Sequence, residues 1–599
     1  MSSKASSHTS NLMVQSNGTL HTKPAEVAEV MNSHYSTIAD SIGSDPNIPK
    51  HQGDTAGFVK ASIDYHKNHP SVTAIRDYCP KQDFSFQPVD PSTVSKAIHS
   101  FDKRKGAGSN TISVRSMQVV SDLIAPSLAT IFNTTVSTGI FPSSAKEAEI
   151  VPVYKKSDPL EPKNYRPVSI LNASSKVLER LYEQQLKTKF LDAIYNDRLS
   201  AYRAGYSCQH VLLDICEQWR KAIDDQKSTG LLLLDLSKAF DCLPHSLIVA
   251  KLRAYGMSIE SVELLADYLS DRKQRVKLSG IQSLWNNILK GVPQGSILGP
   301  AIFNVFINDI FIAIKDGTLF NYADDNSVLV DGDDRPSVIA KIQSNSKELM
   351  TWCSSNEMEA NPSKFQLMLS GDDRPVTVTI DDGACIESEK SVRLLGIDLD
   401  SDLKFNVQVK RMVRNASLQI NSLKRFSKIL ITPVKFDIYR SFILANFNFC
   451  PAVWHNCGAG NTKKLEKLQH RALRFVFNDY SSSYESLIAR ANLPTLEIGR
   501  LRTMACEVYK AMNELAPPPM TELFKNHEHS IGTRNASSNG VFQERKRTTN
   551  HGLHSFQIMG TRIWNSLPKD VRLAENYGAF KRMVKNTEIL PCHCKMCQF

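Results

Sequence analysis

The chain of 599 residues has little of what marks a secreted or membrane-embedded protein. Met1 to Leu20 is polar and serine-rich, without the apolar core that a signal peptide needs. The twelve cysteines follow no repeating frame, which excludes a disulfide scaffold and points to reduced thiols. The best apolar candidate for a membrane span, Ile297 to Ile314, is broken by Asn304, Asn308 and Asp309, all costly in lipid, and it reads as a buried helix. The expected location is the nucleus, the cytoplasm or both, with no secretion and no membrane partner. Two catalytic signatures are also missing, since the chain has neither a Walker phosphate loop nor a nucleophile elbow.

What is present is a long globular chain. Its length suffices for two or three substantial cores, and 41% hydrophobic with 22% charged residues excludes a largely disordered or fibrous protein. The formal net charge is +11, and nine Lys or Arg stand against two acids between 401 and 440. Such a basic stretch recruits a polyanion, most commonly nucleic acid. Composition divides the chain into an N-terminal extension or linker remnant (1–90), an α/β-patterned core (91–395), a helical basic segment (396–519) and a C-terminal extension (520–599). Gln87-Pro88-Val89-Asp90-Pro91 and Pro517-Pro518-Pro519 punctuate that division.

Two carboxylate sites carry the chemistry. Leu231 to Leu234 is a continuous apolar run ending in Asp235, as expected of a central strand buried on both faces. Leu319 to Val330 places two apolar arms around Asp324-Asp325, the pattern of a β-hairpin with acids at its tip. Successive strand residues face opposite ways, so only the turn lets both acids approach one cation cluster. Phosphoryl transfer depends on positioning and charge neutralisation, and carboxylates holding two divalent ions about 3.5 to 4 Å apart provide both. Magnesium keeps water and phosphate oxygens as its other ligands and needs few protein carboxylates. The repeated Gly-Asp-Asp-Arg-Pro at 332–336 and 371–375 reads instead as loops, because each pair of acids runs into Arg-Pro rather than a second apolar arm.

The segments Asp235-Leu-Ser-Lys-Ala-Phe-Asp241, Gly291-Val-Pro-Gln-Gly-Ser-Ile-Leu-Gly-Pro300 and Tyr322-Ala-Asp-Asp325 occur in an order and spacing that resemble the reverse transcriptases of jockey-like non-LTR retrotransposons. The resemblance implies an α+β right-hand polymerase, with fingers, a palm of antiparallel sheet plus helices, a helical thumb, and extensions at both ends. It implies Asp235, Asp324 and Asp325 as catalytic residues and ligands of two Mg²⁺, with Mn²⁺ as a possible substitute, and Asp241 as a supporting neighbour. Phe240 would exclude a ribose 2′-hydroxyl by its volume. Gln294 and Gly295 would contact the template base and incoming nucleotide, while Lys156 and Arg166 would hold the triphosphate.

Downstream, Asn361-Pro-Ser-Lys364 resembles the motif whose lysine lies near departing pyrophosphate, and Leu394-Leu395-Gly396 resembles the primer grip. Lys464, Lys467, Arg471 and Arg474 recur every three or four residues opposite Leu465, Leu468 and Ala472, as on a thumb helix following a duplex backbone. Residues 20–120 and Trp564 to Pro568 look like the flanks of such elements. Asn110 departs from the usual Asp, and the endonuclease domain that a complete element normally encodes is not found before the polymerase. Cys592, Cys594 and Cys597 crowd around His593 too tightly for an ordinary structural zinc site. The expected partners are an RNA template, a DNA primer or RNA–DNA duplex, and dNTPs. An inactive remnant that only binds duplex is the alternative, and an RNA-templated RNA polymerase is disfavoured by Phe240 and the Tyr-Ala-Asp-Asp hairpin.

Overall fold

The computed structural model describes residues 12–589 apart from 39–46, 81, 105–111, 372–373, 382, 427–428, 526–546 and 548. Asn110, Asp372, Asp373 and the terminal Cys592, Cys594 and Cys597 lie outside the described residues. In chain order the main elements are α1 (Pro24–Ser36), β1 (Glu147–Tyr154), β2 (Tyr165–Ile170), α2 (Ala173–Leu186), α3 (Cys208–Asp224), β3 (Ser228–Ser237), α4 (His245–Ala254), β4 (Arg272–Leu278), α5 (Leu298–Ile307), β5 (Thr318–Tyr322), β6 (Asp325–Gly332), α6 (Arg335–Ser355), β7 (Gln366–Leu369), β8 (Ser391–Leu394), β9 (Ile397–Asp400), α7 (Asn406–Lys424), α8 (Ala459–Phe477), α9 (Leu496–Met512), α10 (Phe556–Ser566) and α11 (Tyr577–Asn586). The mixture of helix and separate sheets is an α+β fold.

The chain divides into two compact units, neither of them contiguous in sequence. The first comprises Met1–Asn196, Leu236–Lys315 and Glu348–Asn361. Its sheet is mixed: β1 pairs antiparallel with β2 and parallel with β4. Val27, Met31 and Tyr35 recur at helical spacing on α1 and are buried with Ala148, Ile150, Tyr165, Val276 and Leu278 of that sheet. The N-terminal stretch, expected as an extension or linker remnant, supplies core to this unit. The apolar segment from Ile297 forms α5 and a short helix, Ile310–Ala313, with Asp309 between them. Asp309 is 2% exposed and is held by Lys251 at 2.6 Å and by the Trp352 indole at 2.7 Å, so its buried charge is paired.

The second unit comprises Asp197–Asp235, Asp316–Lys347 and Pro362–Phe599. Within it β3 is central, with β6 on one side and β7 on the other, and β5 outside β6; every pairing is antiparallel. Leu231 to Leu234 are all buried, which explains why this strand has no polar alternation. Helices α3, α7, α8, α9 and α10 share one apolar core that includes Trp219, Leu465, Leu501 and Trp564. The C-terminal residues pack into it, with Tyr509 of α9 stacked on Phe580 of α11 at 4.3 Å between ring centroids. Among the described residues no helix is long and apolar enough to cross a membrane, and every described cysteine is a free thiol.

Candidate active site

The register of the second unit's sheet brings two of the three aspartates together. Asp235 of β3 stands directly opposite Asp325, the first residue of β6, and Asp325 also pairs with Tyr322 across the hairpin. Ala323 and Asp324 are thus the two loop residues of a tight hairpin. Ala323 has φ +58, while Asp324 keeps a negative φ, the signature of a type II′ turn. That turn favours glycine at its first position, so the alanine stores backbone strain at the tip. Buried Asn321 donates to the Ala323 carbonyl at 2.8 Å and to the Asn326 Oδ1 at 3.0 Å, fastening the turn from both arms. The flanking pair Asn321 and Asn326 was legible as a symmetric bracket around Tyr-Ala-Asp-Asp, but only the fold shows what it does. A hydrogen bond with the Cys208 thiol, together with burial, pushes the Tyr322 phenol up to about 12 and keeps it protonated.

Among the described residues no three His, Cys, Asp or Glu side chains converge as a finished metal site. Asp235 and Asp325 are cross-strand neighbours, whereas Asp324 sits in the turn beside them. Asp235 also carries an ion pair, with Lys364 Nζ 2.6 Å from its Oδ2. The resemblance implies a lysine near departing pyrophosphate at Lys364; in the fold its ammonium lies on Asp235. The donor chemistry, hard carboxylate oxygens at a half-exposed sheet end, fits magnesium, which takes most of its ligands from water and phosphate.

The first unit gathers a second set of expected residues. Residues 238–243 turn sharply after β3, with Lys238 at φ +52 and the Asp241 amide donating to its carbonyl at 2.8 Å. The 291–296 loop lies against that turn: the Val292 amide donates to the Phe240 carbonyl at 2.9 Å and the Gly291 amide to that of Leu243 at 2.8 Å. A Cβ on Gly291 would sit 2.6 Å from the Asp241 carbonyl oxygen, and one on Gly295 2.7 Å from that of Ser169, so both positions require glycine. The Gln294 carbonyl accepts from the Ser169 amide at 2.8 Å, while its side-chain amide donates to both oxygens of Asp241 at 2.8 and 2.9 Å. Phe240 stacks on Phe303 with ring centroids 4.3 Å apart and planes 14° from parallel, which fixes the ring's orientation.

A residue the sequence did not single out anchors this loop. Glu179 of α2 is fully buried, and its Oε2 accepts from the amides of Ile297 and Leu298 at 2.5 and 3.3 Å, capping α5. Burial pushes its carboxyl above the usual range against the opposing pull of Arg272. Lys156 and Arg166 are exposed, Lys156 in the connection that follows β1 and Arg166 opposite Val153 in β2.

In the second unit, Leu395 and Gly396 form the two-residue turn between β8 and β9, at φ +46 and +86, a type I′ turn with leucine in a place that prefers asparagine or glycine. Arg411 of α7 donates to the Gly396 carbonyl at 2.6 Å and pairs with Asp398 at 2.6 Å, so one of the cations counted as basic surface holds this turn instead. On α8, Lys464, Lys467 and Arg471 are exposed and Arg474 half-buried, opposite buried Leu465, Leu468 and Ala472. The Gly-Asp-Asp at 332–334 ends a strand, and Asp334 accepts from the Ser337 amide at 2.8 Å at the start of α6, which is a helix cap.

The second unit thus presents an antiparallel sheet with two aspartates facing each other at a hairpin tip, an arrangement suited to hold divalent cations. Residues 153–399 match the family model described as reverse transcriptase (RNA-dependent DNA polymerase). The chain is 25% identical over 436 residues to a probable RNA-directed DNA polymerase from transposon BS of Drosophila melanogaster, covering 69% of this chain and 47% of that protein. It is 24% identical over 408 residues to the RNA-directed DNA polymerase from mobile element jockey of Drosophila funebris, covering 65% of this chain and 44% of that one. Residues 153–399 are thus similar to reverse transcriptase domains, and the chain spans about half the length of the curated relatives it matches.

Proposed function

We propose that the chain is an RNA-directed DNA polymerase of a non-LTR element, extending a primer 3′-hydroxyl with dNTPs on an RNA template. The observation that carries this reading is the register of Asp325 opposite Asp235 at the tip of the hairpin whose loop holds Asp324, inside the segment that matches the reverse transcriptase model. Asp235, Asp324 and Asp325 would hold two divalent cations, with Mg²⁺ the best match to an all-oxygen donor set and Mn²⁺ a substitute. Such ions supply charge neutralisation around the transferring phosphoryl group. Lys364, now on Asp235, would exchange that carboxylate for the negative charge of the nucleotide.

In this reading the first unit forms fingers and part of the palm, and the helical half of the second unit forms the thumb. Lys156 and Arg166 grip the triphosphate. The ring of Phe240, held flat by Phe303, is the wall that refuses a 2′-hydroxyl. Leu395 and Gly396 meet the primer strand, and Lys464, Lys467, Arg471 and Arg474 follow the duplex phosphates, so affinity falls steeply with salt. A second reading, duplex binding without synthesis, draws on that exposed basic face, which needs no aspartate.

The test is Mg²⁺-dependent dTTP incorporation by the full chain on poly(rA)·oligo(dT), with Asp324→Ala as control. We expect incorporation by the wild type and a loss of at least about a thousandfold in the variant, with duplex binding retained by both. Duplex binding without incorporation by the wild type would establish the second reading, and a preference for UTP would make the chain an RNA polymerase.

A further inference from the structure

We infer that Asp241 is a positioning residue that fixes which face of the Gln294 amide meets the incoming nucleotide. The inference rests on the polymerase reading above and deepens it. An ionised carboxylate only accepts hydrogen bonds, so the Gln294 NH₂, bonded to both Asp241 oxygens at 2.8 and 2.9 Å, must be the end turned toward it. The amide is planar, so its Oε1 is held turned away from Asp241 as a hydrogen-bond acceptor. A glutamine without this restraint can rotate by half a turn and offer a donor instead, at little energetic difference. The backbone on both sides is already pinned, by Val292 on the Phe240 carbonyl and by Gln294 on the Ser169 amide, so the side-chain amide is the remaining freedom in the loop. Asp241 removes it, and the acceptor selects a donor group on the nucleotide, a hydroxyl or an amino group.

The charged and titratable surroundings of Asp241 come from each neighbouring element: Lys238 from its own turn, Arg166 from β2, Tyr35 from α1 and the thiol of adjacent Cys242. Burial pushes the carboxyl up to about 6, against the pull of Gln294, Lys238 and Arg166. Above that pH both oxygens accept. As the pH falls through it, one oxygen gains a proton, the paired acceptor is lost and the Gln294 amide is released.

The experiment measures kcat and the dNTP KM for the full-length wild type, Asp241→Asn, Asp241→Ala, Gln294→Ala and Asp241→Ala/Gln294→Ala on poly(rA)·oligo(dT) from pH 5.5 to 8. We expect Asp241→Ala to raise KM about tenfold with kcat within threefold, and the double variant to be no worse than Gln294→Ala, because Asp241 acts through that glutamine. The wild-type KM should rise below about pH 6, and that limb should vanish in Asp241→Asn, a nearly isosteric change, and in Gln294→Ala. Independent effects that multiply in the double variant, or a pH limb that survives in Asp241→Asn, would overturn the inference while leaving the polymerase reading intact. No incorporation by the wild type would overturn both.

Discussion

The hairpin tip around Asp324 and the 291–296 loop are both expected to touch the reacting nucleotide, yet the fold holds them by opposite means. The tip is held by register. Eight consecutive pairs tie β6 to β3, from Asp325 with Asp235 to Gly332 with Ser228, and the acids at the end remain half or fully exposed. The loop has no sheet register of its own and is held by a cage: glycines against backbone oxygens, a buried glutamate beneath α5 and a carboxylate on its glutamine. Regular pairing can thus present charge cheaply at a solvent boundary, whereas an irregular neutral loop needs several buried groups to hold one shape.

The difference is tested most severely at Gly291. An alanine there would have to keep φ +79 with its Cβ within 2.7 Å of three backbone atoms of Phe240 and Asp241, none of which can yield without moving the turn. Gly291→Ala should cost about 3 kcal/mol or more, read as a lower denaturation midpoint together with faster amide exchange over residues 238–243 and 291–298. Asp324→Asn, by contrast, should leave both readouts unchanged while abolishing incorporation. Equal stability losses at the two sites would erase the distinction between register and cage.

Glu179 gives a smaller effect with a pH signature. Glu179→Ala leaves the Ile297 and Leu298 amides without their acceptor and should cost about 1 to 3 kcal/mol. The sign with pH follows from its raised carboxyl: the folded state binds the proton more tightly than the unfolded one. Stability contributed by this group is therefore full below the ordinary value of 4.5 and is lost as pH rises through the elevated folded value. Glu179→Gln keeps an acceptor and carries no charge, so unfolding measured across that window should lose this slope. An unchanged slope would mean that another buried acid, such as Glu217, produces it.

These contrasts also mark what the amino-acid order could reveal. Leu231 to Asp235 is an unbroken apolar run ending in an acid, and the alternation of Lys464, Lys467 and Arg471 with Leu465, Leu468 and Ala472 is periodic; runs and periods, like the apolar arms of the hairpin, survive in one dimension. The partnership of Asp235 with Asp325 needed only the added knowledge that the two strands pair. Glu179, Ser169 and Arg411 carry no such signal, because each acts on a backbone group 15 to 125 residues away. Gly291 and Gly295 were visible as glycines, but the oxygens that forbid a side chain there come from Asp241 and Ser169. The partner of the N-terminal stretch is hidden in the sequence for the same reason, since the sheet that covers Val27, Met31 and Tyr35 is built from residues beyond 145.

Ala323 sharpens the comparison at its smallest scale. The tip is the one part of the hairpin where backbone strain is visible, and Asn321 and Asn326 bracket it with buried side-chain hydrogen bonds. Ala323→Gly removes the penalty for φ +58 but also frees the unfolded chain, so the net gain in stability should be only about 0.5 to 1 kcal/mol. If the strained turn is what aims Asp324 beside the Asp235–Asp325 pair, that gain comes with slower incorporation, by a few-fold in kcat and with little change in KM. A variant that is both more stable and equally fast would show that register alone, without the strained residue, positions the acids.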